Sequence, residues 1–220
     1  MTGEINFGDV YLKGCGDAVK RWDANGDGKT TVDEIAQNLS IFSEYSDLNE
    51  KAISVFQKYA KKDGNNEISA QEYAEALNSK EYDEILDEFK VREYQKRKEG
   101  GEQKPAFGLS QSDTLIQDNK YMEEVHRIQT SRDSDGNGEV SVDETLAGDY
   151  LMHKYPDLGK EDREALIRYA MTDGNINVND EEFVRWLQGP EHDKIMTEFR
   201  NREAEEILAK RNKKSEETDM

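Results

Sequence analysis

The chain has 220 residues, with 49 acidic against 30 basic side chains and a formal net charge of −19. That balance excludes nucleic acid, whose phosphates need clustered lysine and arginine, and suits a protein that gathers cations. A single cysteine excludes an intrachain disulfide, and no run approaches the roughly 18 apolar residues of a transmembrane segment. The N-terminal segment carries no apolar stretch and position 2 is Thr2, which excludes N-myristoylation, so a soluble, cytoplasmic monomer is expected.

The opening segment spaces Tyr11, Leu12, Cys15, Val19 and Trp22 as one helical face and predicts a helix of about fifteen residues. It runs into Asp23-Ala-Asn-Gly-Asp-Gly-Lys-Thr-Thr-Val-Asp-Glu34, which sets oxygen-bearing side chains at loop positions 1, 3, 5, 9 and 12: Asp23, Asn25, Asp27, Thr31 and Glu34. With the carbonyl of Lys29 at position 7, these are the six to eight oxygens that a hard cation of calcium's size requires, Glu34 supplying two. Lys29 beside the site predicts a modest weakening, and Thr30 takes a slot that suits an apolar side chain.

The exit helix carries Ile35, Leu39 and Phe42. Ser46 is the expected N-cap of a third helix bearing Ile53, Phe56 and Tyr59. The next loop is damaged. With Glu72 at position 12, Lys61 falls at position 1, Asp63 and Asn65 keep positions 3 and 5, and Asn66 replaces the turn glycine. A lysine there puts positive charge on the cation's own place, so this loop is not expected to bind; the ammonium is expected to stand in for the ion near Asp63 and Glu72. A short helix over 70–77 follows, then a long charged helix over 80–98 whose Tyr82, Ile85, Leu86 and Phe89 form one apolar stripe.

Everything so far then recurs at an offset of half the chain, Asp23 returning as Asp133 and Glu34 as Glu144. Asp133-Ser-Asp-Gly-Asn-Gly-Glu-Val-Ser-Val-Asp-Glu144 offers Asp133, Asp135, Asn137, the carbonyl of Glu139, Ser141 and Glu144, with Gly138 at the sharp turn and Val140 placed for a short β-bridge. The fourth loop is damaged like the second: Met171 and Ile176 occupy positions 1 and 6, while Asp173, Asn175 and Glu182 remain, and no binding is expected. Gly189-Pro190 opens a second extra helix, over 190–210, with Ile195, Met196 and Phe199 as its stripe and a frayed tail after it. Residues 1–98 and 113–213 are read as two domains, joined by an aperiodic linker, 99–112, that contains Phe107.

The two intact loops resemble those of EF-hand proteins, and the chain is similar to the four-hand superfamily of calmodulin and the sarcoplasmic calcium-binding proteins. The resemblance covers roughly residues 9–78 and 119–188. It implies an all-α fold of two EF-hand-pair lobes, each with a short β-bridge between its loops, here extended by an extra C-terminal helix. It also implies an intracellular protein binding two Ca²⁺ ions, one per lobe, with Mg²⁺ as competitor. The function expected is a calcium sensor gripping an amphipathic target helix, the alternative a calcium buffer that changes shape little. Methionine is scarce away from the termini, against the Met-rich grooves of promiscuous sensors. No catalytic set is visible, and His126, His153 and His192 are too scattered to act together, so no enzyme is expected.

Overall fold

A computed structural model of the chain describes residues 7–38, 42, 44–62, 64–100, 119–147 and 150–218. Leu39, Asp63, Phe107 and the expected linker from residue 101 on lie outside the described residues. The fold is all-α: among the described residues there are eleven α-helices, one 3-10 turn and two isolated bridges. It divides into two compact units, Met1–Glu93 and Tyr94–Met220.

The first unit is built from α1 (Phe7–Trp22), α2 (Val32–Asn38), α3 (Ser46–Ala60), α4 (Ala70–Leu77) and most of α5 (Lys80–Lys98). Its core joins Cys15, Ile35, Phe42, Leu48, Phe56, Ile68 and Tyr73, with Cys15 buried as one more small apolar group. Phe56 stacks on Tyr73 with ring centroids 5.5 Å apart, and Trp22 meets Tyr73 edge-on at 5.1 Å. Burying each such ring stabilises the fold by roughly 2–3 kcal/mol. α4 begins in a capping box, Ser69 and Glu72 each satisfying the other's backbone N–H.

Two helix ends differ from expectation. Ser46 is the first helical residue of α3, and Tyr45 stands at the N-cap without a side-chain bond. The Tyr45 hydroxyl instead donates to Glu93 at 2.7 Å, while its carbonyl accepts the amides of Leu48 and Asn49. The position matching Ser46 in the second unit is Pro156, at the first turn of its helix, where a missing N–H costs nothing.

The second unit contains α6 (Asn119–Thr130), α7 (Val142–Thr145), α8 (Tyr150–Lys154), α9 (Pro156–Ala170), a 3-10 turn at Met171–Asp173, α10 (Asp180–Leu187) and α11 (Pro190–Thr218). Val125, Val142, Leu166, Phe183 and Trp186 form its main core, and Leu151, Leu158 and Ile195 a smaller one with Tyr155 and Phe199 against it. α11 runs on to Thr218, well past the expected end at residue 210. Its tail is polar but made of good helix formers, with Lys213 and Glu217 at the i,i+4 spacing that lets opposite charges meet.

Candidate metal centre

Each odd loop folds around its own first aspartate. Asp23 accepts the Gly26 amide at 2.8 Å on Oδ1 and the Gly28 amide at 2.8 Å on Oδ2. Asp133 does the same with Gly136 and Gly138, both at 2.8 Å. These four glycines have φ between +72° and +84°, a backbone that side chains strain against. The ring of inward carboxylate and amide oxygens depends on that turn. Asn25 and Asp27 accept the amides two residues on, at 2.8 and 2.9 Å, and Asn137 accepts the Glu139 amide at 2.7 Å.

The position-12 glutamate closes each loop back on its start. In the third loop Glu144 Oε1 accepts the Ser134 N–H and hydroxyl, both at 2.9 Å, and Oε2 accepts the Ser141 N–H at 2.9 Å and hydroxyl at 2.8 Å. Donation from Ser141, then from Ser134, pulls the Glu144 pKa down to about 2. Glu34 is lowered too, first by the Thr31 N–H, with further bonds from the Thr31 hydroxyl and the Ala24 N–H. Both glutamates are therefore fully charged at neutral pH, the state a cation needs.

Asp133, Asp135 and Glu144 are brought together: one oxygen from each lies within 4.8 Å of the others. Among the described residues no other trio of acidic, histidine or cysteine side chains is gathered so closely. The donor set fits a hard divalent cation in kind, being all oxygen with charge on three of its members.

The even loops are tied to the odd ones through backbone. Ile68 N–H donates to Thr30 O at 2.8 Å and Val178 N–H to Val140 O at 2.7 Å, with Thr31 facing Glu67 and Ser141 facing Asn177 as bridge partners. Thr30 fits its buried slot because its hydroxyl donates to Val19 O at 2.7 Å. Lys29 pairs with Glu67 across the first bridge, which turns its charge toward a carboxylate outside the loop's ligand set.

Within the even loops, Lys61 lies exposed and does not reach Glu72, whose carboxylate takes the Ser69 N–H at 2.9 Å and hydroxyl at 2.8 Å. Lys62 is the lysine that bridges out of this loop, to Glu75 at 2.6 Å. The stand-in role expected of Lys61 toward Glu72 is thus not built: serine donors already satisfy the glutamate. In the fourth loop Glu182 is buried, held by the Thr172 hydroxyl at 2.9 Å and the Asn179 N–H at 3.0 Å. Asp173 and Asn175 still accept the amides two residues on, while Met171 and Ile176 point to solvent, each about 60% exposed.

The hydroxyls of Ser134 and Thr172 were not singled out by sequence reasoning. Their signal is a serine or threonine at loop position 2, ten residues before the glutamate it binds; Ala24 occupies that place in the first loop. No helix among the described residues is long and apolar enough to cross a membrane. The chain matches no protein-family model and no curated protein.

Proposed function

We propose that the chain is a calcium-binding protein of EF-hand type, taking one Ca²⁺ in each odd loop, with the even loops as structural partners. The observation that carries this reading is the convergence of Asp133, Asp135 and Glu144 within 4.8 Å, in a loop whose glycines aim them inward. Ligands come from Asp23, Asn25, Asp27, the Lys29 carbonyl, Thr31 and Glu34 in one site. The other uses Asp133, Asp135, Asn137, the Glu139 carbonyl, Ser141 and Glu144. The first site is the weaker, since Lys29 stands where the other loop has Glu139. The fourth loop is unfit because thioether and alkyl groups stand where oxygen and a turn glycine are needed.

A sensor role requires apolar surface that a target helix can reach. The buffer role is favoured by one observation: the stripe of α5 is packed into the core of its own unit. Isothermal calorimetry tests the primary reading. Two binding events are expected, in the range of about 10⁻⁷–10⁻⁵ M. Glu34→Gln and Glu144→Gln should each remove one event; four events, or indifference to both substitutions, would end the proposal.

A further inference from the structure

We propose that the cleft between α6 and the start of α10 in the second unit binds a small linear polyamine, a chain carrying two or more separated ammonium groups. This goes beyond the calcium-binding reading, and the side chains that carry it, His126, Gln129 and Asp180, are not loop ligands.

The cleft has a volume of about 530 Å³, within the range of small-molecule sites. His126 and Gln129 line it from α6, Glu139 and Asp173 from the two loops, Asn177 from the bridge and Asp180 from the first turn of α10. Gln129 is 2% exposed. Its Nε2 donates at 3.1 Å to the carbonyl of Val178, itself a lining residue, which places the amide between the two walls. Its Oε1 is buried with no donor among the described residues. Such an oxygen costs stability, because it has given up water and gained nothing in return. Holding Val178 accounts for one end of the amide and not for the other. An ammonium, with three N–H donors and no acceptor, supplies what Oε1 lacks.

The repeat contains its own control. The corresponding cleft of the first unit, about 400 Å³, has Gly16, Val19 and Ala70 where the second has His126, Gln129 and Asp180. A Cβ built on Gly16 would meet the Ala70 Cβ at 3.6 Å, an ordinary contact, so closing these two helices needs no polar group. In the second unit the same place holds His126 Nδ1 at 2.9 Å from Asp180 Oδ2. Charge differs as well. Lys20 and Lys29 line the first cleft beside Asp23, Glu67 and Glu72. The second is lined by Asp133, Glu139, Asp173 and Asp180, with neither lysine nor arginine among its described lining residues. Asp133 belongs to its loop, and each of the other three is engaged with its own neighbour: Glu139 with Asn177, Asp173 with Asn175 and Asp180 with His126. Negative charge is therefore distributed along the cleft instead of gathered at one point, and each carboxylate keeps room to accept further bonds. Separated ammonium groups on a flexible chain complement that distribution.

The test is a calorimetric titration of the full chain with spermidine at saturating calcium, in about 0.15 M salt to screen diffuse attraction to the acidic surface. One binding event per chain is expected. Asp180→Ala and Gln129→Val install the residues of the first copy, and each should weaken that event about tenfold, the worth of one bond to a charged group. Glu67→Gln, in the first cleft, should leave it unchanged. Asp180 is only partly buried at a helix start, so its variant reads the site even where Gln129→Val fails to fold. Butylamine, with a single ammonium, should bind at least about tenfold more weakly than spermidine. Absence of a binding event, full affinity in the Asp180→Ala chain, an equal loss in Glu67→Gln, or butylamine binding as tightly would each overturn the proposal. Calcium stoichiometry is read in a separate titration, so failure of this cleft is distinguishable from failure of the metal centre.

Discussion

Among individual side chains, the second unit contains a buried acid that the first lacks. Asp162 is 1% exposed, and its Oδ1 accepts the Trp186 indole N–H at 3.1 Å and faces His192 Nδ1 at 2.8 Å. Its Oδ2 has no partner among the described residues. The matching positions of the first unit are Ala52, Ala76 and Tyr82, an apolar answer to the same packing problem. His192→Ala should destabilise the second unit by about 3 kcal/mol, because it strips a buried carboxylate of one of its two donors. Adding Asp162→Ala should recover part of that loss, and thermal melting of the two variants checks it. Ser134 makes a second case of this kind. Ser134→Ala deletes one donor to Glu144, so the Glu144 pKa should rise from about 2 toward its ordinary range, read by carboxyl NMR titration.

Among the helices, α5 and α11 each carry an arginine–aspartate clamp, Arg92 with Asp47 and Arg202 with Asp157. Arg92 holds the Asp47 carboxyl below its ordinary pKa, and Arg202 does the same to Asp157, in both cases chiefly through side-chain hydrogen bonds. A lowered carboxylate pKa stabilises the folded state above the unfolded value, about 3.9. That contribution is lost as pH falls through the lower, folded value. Exchange over 82–92 should therefore be flat from neutral pH to about 4 once corrected for intrinsic rates, and accelerate below it. Asp47→Asn should remove the acid-side rise. Helix positions themselves were legible in local pattern: α4 and α5 fall where apolar spacing puts them. The start of α3 and the end of α11 were not, because a cap depends on whether a side chain is already engaged elsewhere, as Tyr45 is with Glu93.

For the molecule as a whole, the lean hydrophobic content is divided between two units, each with its own buried core. If each takes one calcium ion, folding and binding are linked unit by unit. Calcium at about 100 times the dissociation constant should raise the stability of each by roughly 2.7 kcal/mol. Glu144→Gln should abolish that gain in the second unit and leave it in the first, read as a calcium-dependent shift in melting temperature.

The internal repeat, the all-α class and the candidate loop oxygens are all written in short-range spacing along the chain. A twelve-residue loop carries its ligands within itself, so their order is enough to name them. Which polar groups meet across the fold is a different matter, resolved by packing in three dimensions. Lys29 pairs with Glu67, 38 residues on, and the Tyr45 hydroxyl donates to Glu93, 48 residues on. The burial of Asp162 between Trp186 and His192, 24 and 30 residues further along the chain, is of the same kind. Those outcomes depend on distances between groups remote in sequence, and spacing along one chain does not encode them.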